Sequence, residues 1–285
     1  MDYLIYIVTL MTIYTIVVLS YQISIGYTGL LNFAQIGLLA VGAYAEAILA
    51  QDGVPFFISL PLAGTVTGLV GLLLALPSRR IKTDYYALAT LGFMFVVSAL
   101  ILNLTDLTGG PFGISGILRP DYFNTPETFL FLTLVIFFAV AWFVYRVLHS
   151  PFGAALEAVR DDDLVAESLG KPTAKLRVVA MTLSALIVGL AGGLLAHFIQ
   201  FINAQIFWLE NVVFILACVV VGGLASFWGA IAGTVLLYLF LEPIRFIPLP
   251  PGTVGPLRII IYGGLLLLSV LFRPKGLMGR AQLDQ

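Results

Sequence analysis

Residues 209–241, LENVVFILACVVVGGLASFWGAIAGTVLLYLFL, decide how this chain is folded. The stretch is longer than the roughly 20 residues that one membrane-spanning helix needs. Glu210 is the only charged residue in it, and the sequence GGLASFWG, residues 222–229, interrupts it. The number of times that this stretch crosses a membrane therefore sets the topology of the whole chain.

The composition indicates an integral membrane protein. The chain has 285 residues, of which 60% are hydrophobic and only 10% are charged. A soluble domain has about 45–50% apolar and about 25% charged residues, so this chain has too few charges to cover a soluble surface. The net charge is −1, and no Lys/Arg-rich run is interleaved with aromatic residues, which argues against a nucleic-acid-binding protein.

Apolar runs of spanning length recur along the whole chain. The amino-terminal run lacks the positively charged start of a cleavable signal peptide, so we expect it to be a retained first span. The runs cover residues 3–25, 31–50, 56–76, 86–104, 128–148, 177–200, 209–241 and 257–272.

The basic residues determine how residues 209–241 are counted. They form three clusters, which are Arg79, Arg80 and Lys82; residues 146–177; and Arg273, Lys275 and Arg280. Short loops rich in Lys and Arg concentrate on the cytoplasmic side. All three clusters share that side only if residues 209–241 cross twice, or enter the membrane and return. We therefore predict an all-α, polytopic membrane protein, a single domain over residues 1–285 with about 8–10 transmembrane helices, an outer amino end and a cytoplasmic carboxyl end.

The most charged part of the chain lies within residues 149–176, here called the charged loop. Ser150 followed by Pro151 is typical of a helix start. Acidic residues at 161–163 favour the beginning of a second helix, and Gly170 is a natural helix stop. The loop is therefore predicted to form two short helices with a kink between them.

On a helical wheel the two helices have one apolar arc and one acid-rich arc. The apolar arc contains Ala154, Ala155, Ala158, Val159, Val165, Ala166 and Leu169. A membrane-surface helix would instead have a Lys/Arg-rich polar face. The pattern favours contact with another protein, and a solvated connector is the alternative.

Motifs for catalysis, nucleotides or metals do not occur in the sequence. There is no G-x-x-x-x-G-K-[ST] phosphate loop, no H-E-x-x-H pair and no G-x-S-x-G elbow. Cys218 is the only cysteine, and His149 and His197 lie far apart in sequence. We expect no enzyme activity, no bound cofactor and no metal site, and we expect the histidines to be interfacial or pore-facing.

Two glycine-rich segments suggest where a solute path runs. Residues 26–44 and 221–233 share the pattern G-L-x-x-F, and transporters place broken helices of this kind around a path at the membrane midplane. Asn32 and Gln35 share one helix face. The candidate path residues are Asn32, Gln35, Gly37, Gly222 and Gly223; the alternative is that they only serve helix packing.

Polar residues near the outer ends of the spans are the remaining candidates. Glu46 lies near the outer end of the second run. Residues 104–127, here called the cap loop, contain several glycines and are expected to form either a small cap that binds a partner or a connector. Most carboxylates lie in loops or at span ends, which argues against an ion-coupled carrier.

Residues 150–170 resemble the cytoplasmic signature of the LivM-type permeases of branched-chain amino-acid ABC transporters. The resemblance extends to GYTGLLNFAQIGLLAVGAY (26–44), LTGGPFGISGI (107–117), LSALIVGLAGGLLAHF (183–198) and VVGGLASFWGAIAG (220–233). Residues 76–93 depart from it, because Lys82, Thr83 and Asp84 stand where related permeases are more apolar.

The resemblance implies a permease subunit of an importer in a prokaryotic inner membrane. It further implies a second homologous permease, two cytosolic ATPase subunits that use ATP, and an extracytoplasmic amino-acid-binding protein. By the same resemblance, the residues that contact the ATPase are Glu157, Arg160, Asp161, Asp162, Asp163, Glu167, Leu169 and Gly170. Urea and short-amide permeases belong to the same wider group, and a stand-alone carrier or channel is the rival that needs no ATPase.

Overall fold

The computed structural model describes residues 2–79, 81, 83–241, 254–273 and 276–279. Helices make up 82% of this part of the chain, so the predicted all-α class is confirmed. The α-helices are α1 (Asp2–Tyr21), α2 (Gln35–Gln51), α3 (Phe56–Ala75), α4 (Thr83–Asn103), α5 (Thr105–Thr108), α6 (Pro126–Leu148), α7 (Pro151–Asp161), α8 (Asp163–Ser168), α9 (Thr173–Ile199), α10 (Leu209–Gly222), α11 (Phe227–Leu241) and α12 (Val254–Phe272).

Short elements connect or extend these helices. A π-helical segment, Gln22–Gly26, continues α1 and is called the π segment below. Two short strands, β1 (Ile114–Ser115) and β2 (Phe201–Ile202), pair antiparallel and attach the cap loop to the segment after α9. Single 3₁₀ turns lie at Leu76–Arg79, Gly110–Phe112, Asp121–Phe123 and Ala204–Phe207.

The apolar helices agree with the predicted spans. Among the described residues, six helical segments are long and apolar enough to cross a membrane, and three further apolar helices are shorter. The long ones are Tyr3–Gly26, Phe56–Arg79, Asp84–Asn103, Pro126–Leu148, Thr173–Ile199 and Ala204–Gly222, and the shorter ones are Gln35–Gln51, Phe227–Phe240 and Ile259–Ser269. These segments fall within the predicted range of about 8–10.

Residues 209–241 form a hairpin of two short helices, as the charge pattern required. A Cβ atom at Gly222 would collide with the carbonyl of Gly229, and one at Gly233 would collide with the carbonyl of Cys218. These two contacts run in opposite chain directions, so α10 and α11 are antiparallel and close together. The chain reverses between Gly222 and Phe227.

Helix α9 lies at the centre of the bundle, packed against α2 and α3. Its glycines allow the close approach: a Cβ atom at Gly42 of α2 would lie 2.5 Å from Cα of Gly189, and one at Gly193 would lie 2.6 Å from Cδ1 of Leu60. In lipid, where apolar surface alone gives little drive for helix association, small residues let backbones pack closely. The bundle core therefore depends on the glycines of α9.

The bundle has two ends, here called the loop side and the cap side. The ring of Tyr6, near the start of α1, packs 5.0 Å from that of Phe198 at the cap side. Gly26, after α1, accepts a hydrogen bond from Arg160 of the charged loop. Helix α1 thus runs from the cap side to the loop side.

The start of α4, the start of α9 and the ends of α10 and α12 also lie on the loop side. The Tyr86 hydroxyl lies 3.0 Å from Sδ of Met181, which places the α3–α4 connection near the start of α9. The amide of Leu277, which follows α12, donates to the carbonyl of Val221 at the end of α10 (2.9 Å). The basic residues Arg80, Lys82, Lys275 and Arg280 lie outside the described residues.

Candidate functional site

The first helix of the charged loop begins as its sequence predicts. The Ser150 hydroxyl oxygen accepts hydrogen bonds from the amides of Phe152 (3.2 Å) and Gly153 (3.4 Å). Pro151 occupies the first helical position, where its lack of an N–H costs nothing. The cap satisfies two amides that would otherwise have no partner within the helix.

The second helix begins and ends with its own capping residues. Asp162 has an extended backbone, and its carboxylate accepts a hydrogen bond from the amide of Val165 (3.0 Å). At the other end Gly170 has φ +76°, and the amides of Gly170 and Lys171 donate to the carbonyls of Glu167 (2.9 Å) and Ala166 (3.1 Å). This is the Schellman arrangement that favours glycine. The predicted pair of kinked helices is confirmed.

Three of the predicted contact residues, Arg160, Asp161 and Asp163, form bonds within the chain itself. Arg160, with a side chain only 13% exposed, donates to the carbonyl of Gly26 (3.1 Å) and to Oδ1 of Asp161 (2.8 Å). Asp163 forms an ion pair with Arg177 at the start of α9 (2.9 Å). These contacts attach the two loop helices to α9 and to the π segment.

The outward surface of the loop is apolar at its centre and acidic around it. Leu164, Val165 and Leu169 are 79%, 54% and 73% exposed. Exposed acidic residues lie close to them in sequence, namely Asp161, Asp162 and Glu167. Glu157 is half-buried and Gly170 is exposed. The surface is suited to a protein partner with an apolar recess and basic residues at its rim.

The predicted apolar arc is wrong in part. Val159 and Ala166 are buried against the protein, together with Leu156, while Ala154, Ala158, Val165 and Leu169 are exposed. The wheel treated the two helices as one, whereas the extended residue Asp162 turns the second helix relative to the first. Leu164 was missed; its signal was an apolar Leu-Val pair inside an acid-rich loop.

The candidate path residues are buried within the described part of the chain. Asn32 is 3% exposed, its side-chain oxygen accepts from the amide of Ala34 (2.9 Å), and its carbonyl accepts from the Tyr21 hydroxyl (2.5 Å). Gln35 donates to the hydroxyl of Ser20 (2.6 Å), while its Oε1 atom is buried without a hydrogen-bond partner.

The candidate glycines serve close packing in two places. A Cβ atom at Gly37 would lie 3.2 Å from Cα of Met94, so Gly37 sits at the contact of α2 with α4. Gly222 is the last residue of α10 and Gly223 the first of the α10–α11 turn, and the Gly223 carbonyl accepts from the side chain of Gln22. Since Tyr21 binds Asn32 and Gln22 binds Gly223, the two glycine-rich segments meet at the end of α1.

A buried acid–base pair lies near the cap side and was not predicted. Oε1 of Glu46 accepts from the hydroxyl of Ser59 (2.6 Å) and lies 2.8 Å from Nε2 of His197. Nδ1 of His197 lies 2.7 Å from the carbonyl of Leu118 in the cap loop. Glu46 and His197 are 0% and 3% exposed, so both side chains lie in the interior of the bundle.

The two hydrogen bonds of His197 require one proton more than a neutral imidazole and a carboxylate carry together. A carbonyl and a carboxylate both accept hydrogen bonds, whereas a neutral imidazole has only one N–H. The pair therefore holds either an imidazolium with a carboxylate or a neutral imidazole with a carboxylic acid. The signal in the sequence was a lone Glu and a lone His near the outer ends of two spans; their pairing depends on how α2 and α9 pack.

A cavity of about 550 Å³ lies above this pair on the cap side. It opens between the α2–α3 connection and the cap loop, and His197 and Arg119 contribute to its walls. Arg119 donates weakly to the carbonyls of Asn124 (3.3 Å) and Phe198 (3.4 Å), and burial lowers its pKa. Within the described ranges, no three His, Cys, Asp or Glu side chains are placed to hold a metal ion.

Three relatives of the chain are described as permease proteins of branched-chain amino acid transport systems. It is 35% identical to the high-affinity branched-chain amino acid transport system permease protein LivM of Salmonella typhimurium, over 95% of this chain and 69% of that protein. It is 34% identical to the LivM protein of Escherichia coli over the same shares. The probable LivM protein of Methanocaldococcus jannaschii is 27% identical over 93% of this chain and 90% of that protein.

Fold similarity and a family match complete the comparison. The structure of PsaBC from Streptococcus pneumoniae in complex with Fab covers 95% of this chain and 91% of that chain, with a TM-score of 0.50 and 18% identity, which shows a shared fold alone. The family described as branched-chain amino acid transport system / permease component matches residues 3–270. The chain therefore belongs to the family of permease components of branched-chain amino acid transport systems.

Proposed function

We propose that this protein is the membrane permease subunit of an ATP-driven importer of branched-chain or other hydrophobic amino acids. The observation that carries the proposal is the charged loop, in which Leu164, Val165 and Leu169 are exposed to solvent on a pair of capped helices. The family match and the names of the relatives support the transported class. The sequence has no phosphate-binding motif, so the energy comes from partner subunits.

The proposed assembly contains this chain, a second homologous permease, two cytosolic ATPase subunits that bind the ATP, and an extracytoplasmic binding protein. This chain is a non-enzymatic subunit, embedded in the lipid of a prokaryotic inner membrane. The charged loop faces the cytoplasm, the amino end lies outside, and the carboxyl end lies inside. The basic residues on the loop side support this orientation.

The residues of the charged loop divide into contact and anchoring groups. Asp161, Asp162, Glu167 and Leu169, with the newly identified Leu164 and Val165, form the surface that meets an ATPase subunit, and Glu157 lies at its edge. Arg160 and Asp163 anchor the loop to the π segment and to Arg177. Gly170 ends the second helix. Truncating the contact group weakens docking, whereas truncating the anchors changes how the loop transmits motion.

The path residues remain part of the proposal. Asn32, Gln35, Gly37, Gly222 and Gly223 lie where the two glycine-rich segments meet at the end of α1. Gln35 has a buried side-chain oxygen without a partner, which is the kind of group that a moving path can expose. We assign these residues to the elements that move around the path.

The test is ATP-dependent uptake of leucine, isoleucine and valine into liposomes that contain the complete transporter. The double variant Leu164→Lys, Glu167→Lys places positive charges at two exposed positions of the contact surface and leaves the Arg160–Asp161 ion pair unchanged. We expect it to abolish uptake and the stimulation of ATPase activity while the permease still inserts. Glu127→Lys, an exposed acid at the opposite end of α6, is the matched control. Undiminished uptake in the double variant contradicts the assignment of the loop.

Two further outcomes distinguish the rival functions. Uptake by this chain alone, without ATPase subunits or ATP, identifies a stand-alone carrier or channel. Uptake of urea or short amides in preference to amino acids, driven by the same ATPases, leaves the loop assignment intact and changes the substrate.

A further inference from the structure

The α10–α11 turn, residues 223–226, is held in an unusual backbone conformation. Gly223 has φ +112°, and Ala225 has φ +55°, in the left-handed region that side-chain-bearing residues rarely adopt. Such residues persist only where their surroundings hold them in place. The contacts that hold this turn therefore matter for how it can move.

The side chain of Gln22, in the π segment, makes two hydrogen bonds to the backbone of this turn. Nε2 of Gln22 donates to the carbonyl of Gly223 (2.9 Å), and Oε1 of Gln22 accepts from the amide of Ala225 (3.0 Å). The Gln22 side chain is completely buried. A side-chain amide with both ends used in this way fixes the turn relative to α1.

The charged loop contacts the same π segment. Arg160 of α7 donates to the carbonyl of Gly26 (3.1 Å), which is the last residue of the π segment. The Arg160 stem also packs against the next turn, since a Cβ atom at Gly29 would lie 3.0 Å from its Cγ. A rigid displacement of α7 therefore acts directly on the π segment.

The junction between Gly26, Gln22 and the turn has no free space. A Cβ atom at Gly26 would collide with Oε1 of Gln22 and would lie 2.9 Å from the amide nitrogen of Ala225. On its other side the turn is bound by the segment after α12, where the amide of Met278 donates to the carbonyl of Gly222 (3.0 Å). Motion of the π segment must therefore be taken up by the turn.

We infer that Gln22 and Arg160 are positioning residues that transmit movement of the charged loop to the α10–α11 turn, through the π segment. π-Helical turns are rare and frequently occur at functional sites. The inference rests on the proposed function, since it requires that an ATPase moves the loop. It adds the internal route by which that movement reaches the two short helices of the hairpin.

The experiment measures uptake and ATP hydrolysis together in liposomes that contain the complete transporter with its binding protein. Gln22→Met keeps the length of the side chain and removes both hydrogen bonds. We expect the rate of ATP hydrolysis to stay within about twofold of the parent, while amino acid taken up per ATP falls about tenfold, as for a coupling network. Gln22→Glu keeps the acceptor for Ala225 alone, and its expected uptake per ATP is intermediate.

Two control variants separate transmission from general damage. Gln51→Met removes an exposed glutamine at the end of α2, and Gly92→Ala adds a methyl group where no atom lies within 4 Å; both should keep the parental ratio. Gly26→Ala, which forces Gln22 away from the turn, should lower the ratio as Gln22→Met does.

A parental uptake per ATP in Gln22→Met overturns the inference. An equal fall in uptake and in ATP hydrolysis in Gln22→Met and Gln22→Glu also overturns it. The two hydrogen bonds of Gln22 would then serve assembly only. Failure of the proposed function is seen separately, as absence of ATP-dependent uptake by the parent protein.

Discussion

Replacing His197 tests the buried pair with Glu46 most directly. His197→Phe keeps a ring at the position that packs edge-on against Phe56, 5.1 Å between ring centroids, but it removes both ring nitrogens. Glu46, which is 0% exposed, then retains only the hydroxyl of Ser59, and the cap loop loses its bond to His197. Removing one partner costs about 1–3 kcal/mol for a neutral buried pair and about 3–5 kcal/mol for an ionised one.

The magnitude converts into a thermal shift. At about 2–4 °C per kcal/mol for a chain of this size class, His197→Phe should lower the apparent Tm in detergent by roughly 2–20 °C. Glu46→Met should do the same, because it leaves the ring without its acceptor. The double variant, with an apolar pair of similar volume, should recover most of the loss, since such replacements are often neutral or stabilising.

The assay can use a reporter that the chain already contains. Cys218 is its only cysteine and is 0% exposed, so reaction with a thiol-reactive fluorophore reports unfolding during heating. His149→Phe is the matched control: His149 is exposed, and its ring contacts the carbonyl and the ring of Tyr145, four residues earlier in the chain. Surface changes of this kind stay within about 0.5 kcal/mol.

Two results would refute the reasoning. If His197→Phe has the same apparent Tm as His149→Phe, the pair contributes nothing to stability. If the losses of the two single variants simply add in the double variant, Glu46 and His197 are not energetically coupled.

Three further predictions follow from local geometry. Gly42→Ala places a Cβ atom 2.5 Å from Cα of Gly189, so it should destabilise the bundle by about 1–3 kcal/mol in the same melting assay. Gly92→Ala should leave the Tm unchanged, and equal Tm values for the two variants would contradict the close approach of α2 and α9. Ser150→Ala removes a cap worth about 1 kcal/mol and should speed proteolysis within residues 149–176 while lowering the Tm by no more than about 4 °C. Unchanged cleavage would show that the cap is dispensable. Glu167→Cys in a Cys218→Ala background should react with an impermeant maleimide from the cytoplasmic side only, and labelling from outside would invert the topology.

Charge placement and capping chemistry were readable along the chain. The double crossing of residues 209–241 follows from keeping three basic clusters on one side, and the hairpin of α10 and α11 agrees with it. The start at Ser150, the break at Asp162 and the stop at Gly170 depend on neighbours within three or four residues. Interactions of such short range are written directly into the sequence.

The apolar arc of the charged loop shows where sequence reasoning fails. A helical wheel assumes one continuous helix, but a single extended residue, Asp162, changes the direction of the second helix. Burial then depends on what the loop packs against, and Leu156 and Val159 turn inward while Leu164 turns outward. Periodicity gives which residues share a face, and the neighbouring elements select which face is buried.

The composition and spacing of the residues were sufficient to predict a polytopic helical bundle with a capped, charged loop, because span length, loop charge and helix capping are local or additive properties. The pairing of Glu46 with His197, the inward role of Arg160 and the grip of Gln22 on Gly223 and Ala225 arose only when the helices packed. These partners lie more than 100 residues apart in the chain. Which polar groups meet at that range is decided by the rotation and close approach of the helices, which here depend on glycine contacts spread over the whole bundle.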